Sequence, residues 1–365
     1  MADWKPATFR SSSPRQSCIE RSSSCSLGVA KIMSETVLIT GGAGFIGSHL
    51  ADRLLAEGYR VSVLDNLDPQ VHGPDAARPA YLDPEVELQI GDIRNPEAVR
   101  QALQGVDVVY HLASAVGVGQ SMYDVARYTE VNNVGTAVLL EALIEQPVRR
   151  LIVASSMSLY GEGMYQTADG SAWPFAERDV EQLRTGDWEP RDANGQPLTP
   201  VPTPETKPPA VSSIYALSKY DQERMCIIVG RAYGIPTVAL RFFNAYGTRQ
   251  ALSNPYTGVM AIFASRLLNG NRPVVYEDGN QLRDFVSVYD VTRACVLALN
   301  AREAAWTVIN VGSGQPCTIR SVAETMARVL GRPDLAPEIN GKYRVGDIRH
   351  CVADISLARD VLGYS

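Results

Sequence analysis

Short apolar runs alternate with amphipathic segments along the chain from Glu35 onward. Runs rich in Val, Ile and Leu predict strands. These strands are expected at Thr36–Thr40, Arg60–Asp65, Val86–Ile90, Val106–His111 and Arg150–Ser155. Apolar positions at helical spacing predict helices at Phe45–Glu57, Pro96–Leu103 and Tyr123–Glu145. The alternation favours an α/β fold in which helices cover both faces of a doubly wound parallel sheet, with ligands at the carboxyl ends of its strands.

The alternation breaks between Gly161 and Ala210, where prolines are frequent and apolar periodicity is weak. We interpret this stretch as an insertion into the sheet domain, and segments of such length are usually functional or disordered. Regular structure is predicted to resume with a helix at Ser212–Tyr233 and a strand at Pro236–Arg241.

We expect three parts in the chain. Residues 1–33 are rich in Ser and Arg and poor in acidic residues. They are predicted to be a disordered tail, or upstream sequence from a misplaced start codon with Met33 beginning the folded protein; an organelle transit peptide has a similar composition. Residues 34–243 are assigned to the sheet domain, which includes the insertion 161–210, and residues 244–365 to a smaller lobe interleaved with it.

The composition argues against several classes of function. The 365 residues are 45% hydrophobic and 20% charged, as in an ordinary soluble protein, and the net charge is −6. Because no basic surface is available for phosphates, nucleic acid is not an expected partner. No apolar run reaches the ~20 residues that span a bilayer, so no membrane association is expected. The six cysteines lack Cys-x-x-Cys or metal-ligand spacing, which favours a reducing, cytoplasmic location and no metal site.

A glycine cluster stands between the first predicted strand and the first predicted helix. Gly41, Gly44 and Gly47 are three residues apart, and Gly42 adds an overlapping template. Residues without Cβ let backbone N–H groups and the helix N-terminus close on a pyrophosphate. Asp65 ends the next strand, where a carboxylate accepts hydrogen bonds from the adenosine ribose and repels a 2′-phosphate. The pattern therefore predicts NAD rather than NADP; a glycine-rich turn with a surface aspartate is the alternative.

Three side chains are candidates for proton transfer. Tyr215 and Lys219 are four residues apart on one predicted helix, so they share a face. A phenol has a pKa of about 10, which a nearby ammonium group and a positive nicotinamide ring would lower enough for it to act as a base. Ser156 stands where a strand ends, and its hydroxyl is placed to donate to the same substrate oxygen. An ordinary strand-end hydroxyl is the alternative for Ser156.

These motifs follow the order found in the extended short-chain dehydrogenase/reductase superfamily, which the chain resembles from Met33 onward. More narrowly, it resembles the nucleotide-sugar epimerase/dehydratase branch. The resemblance is carried by the glycine cluster, Asp65, Gly91–Ile93, His111–Ser114, Ser156, Tyr215 with Lys219, Arg241–Gly247 and Arg283–Asp290. It implies a Rossmann-type fold, NAD as the cofactor and a nucleotide sugar as the substrate.

The resemblance also implies roles for individual residues. The residues expected to bind NAD are Gly41, Gly44, Phe45, Ile46, Gly47, Asp65, Asn66, Asp92, Ile93, Leu112, Ala113, Tyr215, Lys219 and Phe242. Those expected to contact the sugar nucleotide are Asn244, Tyr276, Arg283, Arg344 and Cys351. The arginines suit bidentate contacts with the diphosphate, the tyrosine is expected to stack on the base, and the small cysteine to set the width of the sugar pocket. Ordinary core residues or solubilising charges are the alternatives at Tyr276, Arg283, Arg344 and Cys351.

Two positions narrow the reaction that the resemblance implies. The 4,6-dehydratases of this branch carry an Asp-Glu pair directly after the catalytic hydroxyl residue, and the decarboxylases carry a Glu near this point. Met157 and Ser158 stand there in this chain, and neither exchanges protons with carbon. A nucleotide-sugar 4-epimerase remains, which acts through a transient 4-keto sugar. An NAD-dependent dehydrogenase or reductase, and a non-catalytic NAD-sensing protein, are the alternatives.

The insertion and the segment Ala251–Gly258 resemble the dTDP-L-rhamnose 4-epimerase group more than the UDP-glucose 4-epimerases. Relatives usually continue beyond the position of Ser365 into a final helix, so we expect the small lobe to be incompletely closed. By resemblance, a homodimer is expected through the helices around Tyr123–Glu145 and Ser212–Tyr233.

Overall fold

Parallel strands form the centre of the computed structural model, which describes residues 35–74, 77–251 and 258–365. The predictions made for residues 1–33 lie outside this part, as does most of Ala251–Gly258. The strands of the described chain are β1 (Thr36–Thr40), β2 (Arg60–Asp65), β3 (Glu87–Ile90), β4 (Val108–His111), β5 (Arg150–Ser156), β6 (Met164–Gln166), β7 (Ala172–Trp173), β8 (Thr199–Val201), β9 (Thr237–Phe242), β10 (Asn244–Tyr246), β11 (Val274–Val275), β12 (Leu282–Ser287), β13 (Thr307–Val311), β14 (Pro316–Thr318), β15 (Glu338–Ile339) and β16 (His350–Cys351).

Helices connect most of these strands. They are α1 (Phe45–Ala56), α2 (Pro69–His72), α3 (Pro96–Ala102), α4 (Val118–Ser121), α5 (Val125–Tyr128), α6 (Gly135–Glu145), α7 (Val180–Arg184), α8 (Ile214–Tyr233), α9 (Val259–Leu268), α10 (Val288–Asn300), α11 (Ile319–Val329) and α12 (Ser356–Leu362). A π-helical segment lies at Thr129–Val134, and 3₁₀ turns lie at Met157–Tyr160 and Arg302–Ala304.

The central sheet of the described chain has seven strands in the order β3-β2-β1-β4-β5-β9-β13, and all neighbours are parallel. This is the strand order of a doubly wound dinucleotide-binding sheet with one strand added at its edge. The chain reverses direction across the sheet between β1 and β4, so the crevice at the carboxyl ends lies above β1. The predicted α/β fold of Rossmann type is confirmed.

Helices cover both faces of the sheet. On one face α1, α10 and α12 bury Leu50, Leu54, Val291, Leu299 and Leu362. On the other face α3, α6 and α8 bury Val99, Leu139, Leu143, Cys226 and Ile227. Successive side chains of a strand point to opposite faces, and accordingly Ile39 of β1 packs in the first core and Leu38 in the second.

The helix predicted at Tyr123–Glu145 is divided, which corrects the sequence-based expectation. A π-helical segment at Thr129–Val134 separates α5 from α6. Within it the buried Asn132 accepts the Ala115 N–H at 2.7 Å and donates to Ser218 Oγ at 2.9 Å. A single π turn inside a helix re-aims side chains in this way. Apolar periodicity did not reveal it because the inward-facing residue is polar.

The insertion at residues 161–210 is an ordered module. Its two ends meet where the Ala210 N–H donates to Leu159 O at 2.8 Å. Strand β6 pairs antiparallel with both β7 and β8, and Tyr165, Ala176 and Leu198 form a small core beneath them. The sequence shows weak periodicity here because strands of two or three residues are too short to display any.

Buried ion pairs join this insertion to the lobe that contains β16. Arg349 is 0% exposed, and its Nη1 lies 2.9 Å from Glu277 Oε2 and 2.7 Å from Asp278 Oδ1. Its guanidinium also donates to Glu189 of the insertion. Burial raises the pKa of Glu189, but hydrogen bonds from His350 and Arg349 outweigh that effect and lower the pKa to about 2. The contact is therefore ionic at neutral pH.

The residues after 243 contribute to two sheets. Strand β12 pairs with β10, β14 and β16 in a smaller sheet, whereas β13 joins the edge of the central sheet. Near the end of the chain, Tyr364 is buried and its hydroxyl donates to Gly312 O at 2.9 Å. These contacts tie the final described residues to the loop after β13.

Two searches of residues 35–74, 77–251 and 258–365 bear on function classes. No helix in these ranges combines the length and hydropathy that a membrane crossing requires. Within the same ranges, no group of three or more His, Cys, Asp or Glu side chains is arranged to hold a metal ion. Cys226, Cys295, Cys317 and Cys351 are free thiols.

Candidate active site

The main cavity lies at the carboxyl ends of the central strands and has a volume of about 540 Å³, the size of a small-molecule site. All residues predicted to bind NAD line it: Gly41, Gly44, Phe45, Ile46, Gly47, Asp65, Asn66, Asp92, Ile93, Leu112, Ala113, Tyr215, Lys219 and Phe242. Ser156 and Asn244 line it as well. The fold therefore brings the predicted coenzyme residues, the predicted catalytic residues and one predicted substrate residue to one cavity.

The glycine-rich loop between β1 and α1 forms the floor of this cavity. Gly41 has a φ of +71°, and a Cβ there would stand 2.8 Å from the Ala113 backbone. A Cβ on Gly47 would stand 2.5 Å from Gly42 Cα, so both positions require glycine for close packing. A Cβ on Gly44 would meet Gly41 O at 3.5 Å, an ordinary contact, and the space in front of it belongs to the cavity. Within the described chain, no side chain caps the start of α1, so its N–H groups face this space.

Carboxylates line the cavity beyond the ends of β2 and β3. Asp65 Oδ2 accepts the Ala43 N–H at 3.0 Å, and its Oδ1 accepts the Leu67 N–H at 2.9 Å. Each oxygen keeps a lone pair for a further donor, such as a ribose hydroxyl. A hydrogen bond from Arg94 lowers the pKa of Asp92, which is therefore a carboxylate acceptor at neutral pH.

Ser156 is the last residue of β5, and two donors hold its hydroxyl oxygen. Its Oγ accepts the Ser158 backbone N–H at 3.2 Å and the Ser158 hydroxyl at 2.9 Å. A serine oxygen has two acceptor lone pairs and one proton to donate. With both lone pairs in use, the Ser156 proton is free to donate into the cavity, toward Tyr215 and a substrate oxygen.

Tyr215 lies in the first turn of α8, which begins where Ser213 Oγ accepts the Ala216 N–H at 3.1 Å. Burial raises the pKa of Tyr215, and a hydrogen bond with Ser156 opposes the rise. The ring of Tyr128 meets that of Tyr215 edge-on, with centroids 6.4 Å apart. The hydroxyl of Tyr128 is buried without a hydrogen-bond partner in the described structure.

Lys219 lies on the same face of α8 as Tyr215, but its ammonium group turns into the core. Its Nζ donates to Gln222 Oε1 at 2.6 Å, and Gln222 Nε2 donates to Thr136 Oγ1 at 2.9 Å. Thr136 in turn contacts His111 Nε2 at 2.9 Å. Burial lowers the pKa of Lys219 to about 8 and that of His111 to about 3. The expected lowering of the Tyr215 pKa by Lys219 is not found in this arrangement.

The remaining predicted substrate residues are not among those that line this cavity. Arg344 stacks over the Tyr276 ring at 4.8 Å, so these two lie together on the smaller lobe. The guanidinium of Arg283 donates to the backbone carbonyls of Leu282, Ile348 and Arg349. Cys351 is buried, with its Sγ 3.9 Å from Thr203 Oγ1 of the insertion. Their roles toward a sugar nucleotide stay predictions.

Several residues of the site carried no role in the sequence analysis. Ser158 and Gln222 follow Ser156 and Lys219 by two and three residues, and that spacing was the available signal. Tyr128 and Arg249 gave no such signal, because they reach the cavity only through the tertiary fold. Arg249 pairs with Asp52 at 2.7 Å, and its Nη1 is buried without a partner in the described structure.

These features fit NAD. The open space at Gly44 and the uncapped start of α1 suit a pyrophosphate, and the unpartnered Nη1 of Arg249 adds positive charge to the same cavity. Asp65 is placed for the adenosine ribose. The residues that would hold the nicotinamide end are Tyr215, Lys219 and Phe242, all at the cavity wall.

Comparisons with known proteins agree with this geometry. The model of the NAD dependent epimerase/dehydratase family matches residues 37–312. The chain is 37% identical over 333 residues to the dTDP-L-rhamnose 4-epimerase of Burkholderia thailandensis, and the alignment covers 90% of each protein. The UDP-glucose 4-epimerase of Thermotoga maritima, solved with UDP-glucose, has a TM-score of 0.74 at 30% identity and is covered over 93% of its chain by 90% of this one. The Thermus thermophilus UDP-glucose 4-epimerase complex with NAD has a TM-score of 0.69 at 32% identity, with the same coverage.

Proposed function

The chain belongs to the NAD-dependent epimerase/dehydratase family, and we propose that within it the protein is a nucleotide-sugar 4-epimerase whose first candidate substrate is dTDP-L-rhamnose. Family membership confirms the resemblance inferred from the sequence and identifies NAD as the cofactor. The choice of dTDP-L-rhamnose rests on the relative with 37% identity, and UDP-hexoses are the next candidates.

The observation that carries the proposal is the set of side chains beside Tyr215. The residues that follow Ser156 along the cavity wall are Met157 and Ser158, a thioether and a hydroxyl. Neither exchanges a proton with carbon, whereas Ser156 and Tyr215 both exchange protons with oxygen. The site is therefore equipped to interconvert an alcohol and a ketone, and epimerisation at a carbinol carbon needs no other proton transfer.

Each residue has a defined task in this reaction. NAD, when bound, supplies the hydride acceptor and returns the hydride to the opposite face of the sugar. The Tyr215 phenolic oxygen takes the proton of the sugar 4-hydroxyl and later returns it to the 4-keto oxygen. Ser156 donates its proton to the same sugar oxygen and so holds it beside Tyr215. Lys219 is expected to contact the ribose next to the nicotinamide.

The test is NMR of the sugar after incubation of purified protein with dTDP-L-rhamnose, or with UDP-glucose and UDP-galactose. We expect inversion at C4 without net NADH formation. Tyr215→Phe should lower turnover by a factor of roughly 10²–10⁴, the usual contribution of a general acid–base group. Tyr233→Phe, on the exposed end of the same helix, is the matched control and should retain activity.

Two results would reject the proposal. Stoichiometric accumulation of NADH with an oxidised sugar would identify a dehydrogenase. Equal turnover in wild-type protein and Tyr215→Phe would remove the phenol from the mechanism.

We also propose a homodimer that forms through the helices around α6 and α8. Leu217 and Ile228 on α8 are 42% and 57% exposed, and Val134 next to α6 is 48% exposed. Large apolar side chains exposed together on adjacent helices are a feature of interfaces. Light scattering after size exclusion should give a dimer for the wild type and a monomer for the Leu217→Glu, Ile228→Glu double variant. Val329→Glu on α11, where the side chain is 77% exposed, should leave the dimer intact.

A further inference from the structure

Four side chains join the two loops on either side of the glycine-rich loop. Arg127 Nη2 donates to Asp68 Oδ2 at 2.6 Å, and its Nη1 donates to Gln70 Oε1 at 2.9 Å. Gln70 Nε2 donates to Gln120 Oε1 at 2.8 Å, and Gln120 Nε2 donates back at 3.2 Å. Asp68 and Gln70 follow β2, whereas Gln120 and Arg127 belong to α4 and α5 beyond β4. We call these four residues the clamp.

The topology determines what the clamp crosses. Strands β2 and β4 both pair with β1 and flank it in the sheet. The loop at the carboxyl end of β1 is the glycine-rich loop, so a bond between the loops after β2 and β4 passes across it. All four clamp residues line the same cavity as Gly41 and Gly44. A pyrophosphate bound on the glycine-rich loop is therefore enclosed between that loop and the clamp.

We propose that the clamp retains the dinucleotide through the catalytic cycle. This inference rests on the proposed function. An epimerase returns the hydride to the sugar from which it came, so coenzyme that leaves in mid-cycle strands a keto sugar. A dehydrogenase exchanges its coenzyme at each turnover and gains nothing from such a bridge. The clamp contacts are made by side chains, which must separate before the enclosed pyrophosphate leaves the cavity.

The test measures coenzyme release and does not depend on epimerase activity. Protein loaded with NADH is mixed with excess NAD, and the fall of NADH fluorescence gives the dissociation rate. Arg127→Ala breaks the ion pair and one amide bond, and release should become roughly 3- to 10-fold faster. The Gln70→Ala, Arg127→Ala double variant should release NADH roughly 10- to 100-fold faster. Arg127→Lys keeps the charge but loses the fork and should fall between wild type and Arg127→Ala.

The matched control is Arg149→Ala. Arg149 pairs with Glu35 at 2.7 Å, its side chain is 42% exposed against 33% for Arg127, and both residues precede the amino ends of strands, away from the cavity. Its NADH release should equal that of the wild type. An unchanged release rate in the double variant, or the same acceleration in Arg149→Ala, would overturn the clamp. Faster release from the variants of a protein that epimerises no substrate would keep the clamp and reject the proposed function.

Discussion

Replacing Ser158 with alanine tests how Ser156 is oriented. In the wild type the Ser158 hydroxyl and backbone N–H occupy both lone pairs of Ser156 Oγ, at 2.9 and 3.2 Å. Alanine keeps the backbone bond and removes the other, so the Ser156 proton can turn away from the cavity. A neutral buried hydrogen bond contributes about 0.5–1.5 kcal/mol. If that free energy is lost from the transition state, kcat falls roughly 2- to 13-fold.

The assay is C4 inversion by NMR at saturating substrate and NAD, with the urea midpoint measured on the same samples. Ser158→Thr restores a hydroxyl and should recover most of the rate. Ser155→Ala is the matched control, because Ser155 also loses one buried bond, at 2.7 Å to Glu223 Oε2, but does not touch Ser156. A Ser158→Ala enzyme with unchanged kcat, or an equal loss of kcat in Ser155→Ala, would refute the orientation argument.

Three further predictions follow from buried groups. Burial lowers the pKa of Lys219 to about 8 from the ordinary 10.5, so between these values the unfolded chain binds a proton that the folded protein does not. Relative to Lys219→Met, the wild type should therefore gain stability as pH rises from about 8 to 10.5, measured by urea unfolding; a flat difference would contradict the shift. Tyr128→Phe removes a buried hydroxyl without a hydrogen-bond partner in the described structure and should leave the coenzyme-free protein equally or more stable, by up to about 1 kcal/mol in urea unfolding. A loss above 1 kcal/mol would mean that the hydroxyl is satisfied. Arg349→Met leaves three carboxylates without their shared cation and should cost about 3–5 kcal/mol of unfolding free energy; a loss below 1 kcal/mol would show that the ion cluster does not hold the insertion.

The sequence predicts the coenzyme side of the cavity well because its signals are local. A glycine is identified by what its missing Cβ permits, and Gly41 and Gly47 each face backbone atoms within 3 Å of where a Cβ would stand. Asp65 is identified by its place at the end of a strand, and parallel strands bring all such ends to one edge. Tyr215 requires the helix period alone. In each case one neighbouring element is enough to place the side chain.

The sugar side is harder to predict because it is built by contacts between distant segments. Cys351 was assigned to a pocket wall from its position in the chain, yet its side chain packs against Thr203 of an insertion about 150 residues away. Arg283 was assigned to a diphosphate, and its guanidinium holds backbone carbonyls of residues 348 and 349. Neither partner is adjacent in sequence, and no periodicity encodes it. The insertion is the common cause, since it packs on β16 through ion pairs that no short motif announces.

The pKa directions at Tyr215 and Lys219 change how the chemistry has to be explained. Burial raises the pKa of the phenol and lowers that of the amine, so the protein by itself favours the uncharged form of both. The low dielectric that produces these shifts also strengthens the effect of any charge that enters the cavity. A positive ring beside Tyr215 then favours the phenolate, which takes a proton, and a neutral reduced ring favours the phenol, which returns it. The protonation state of Tyr215 thus follows the redox state of its neighbour, as a reaction that first removes and then restores the same hydroxyl proton requires.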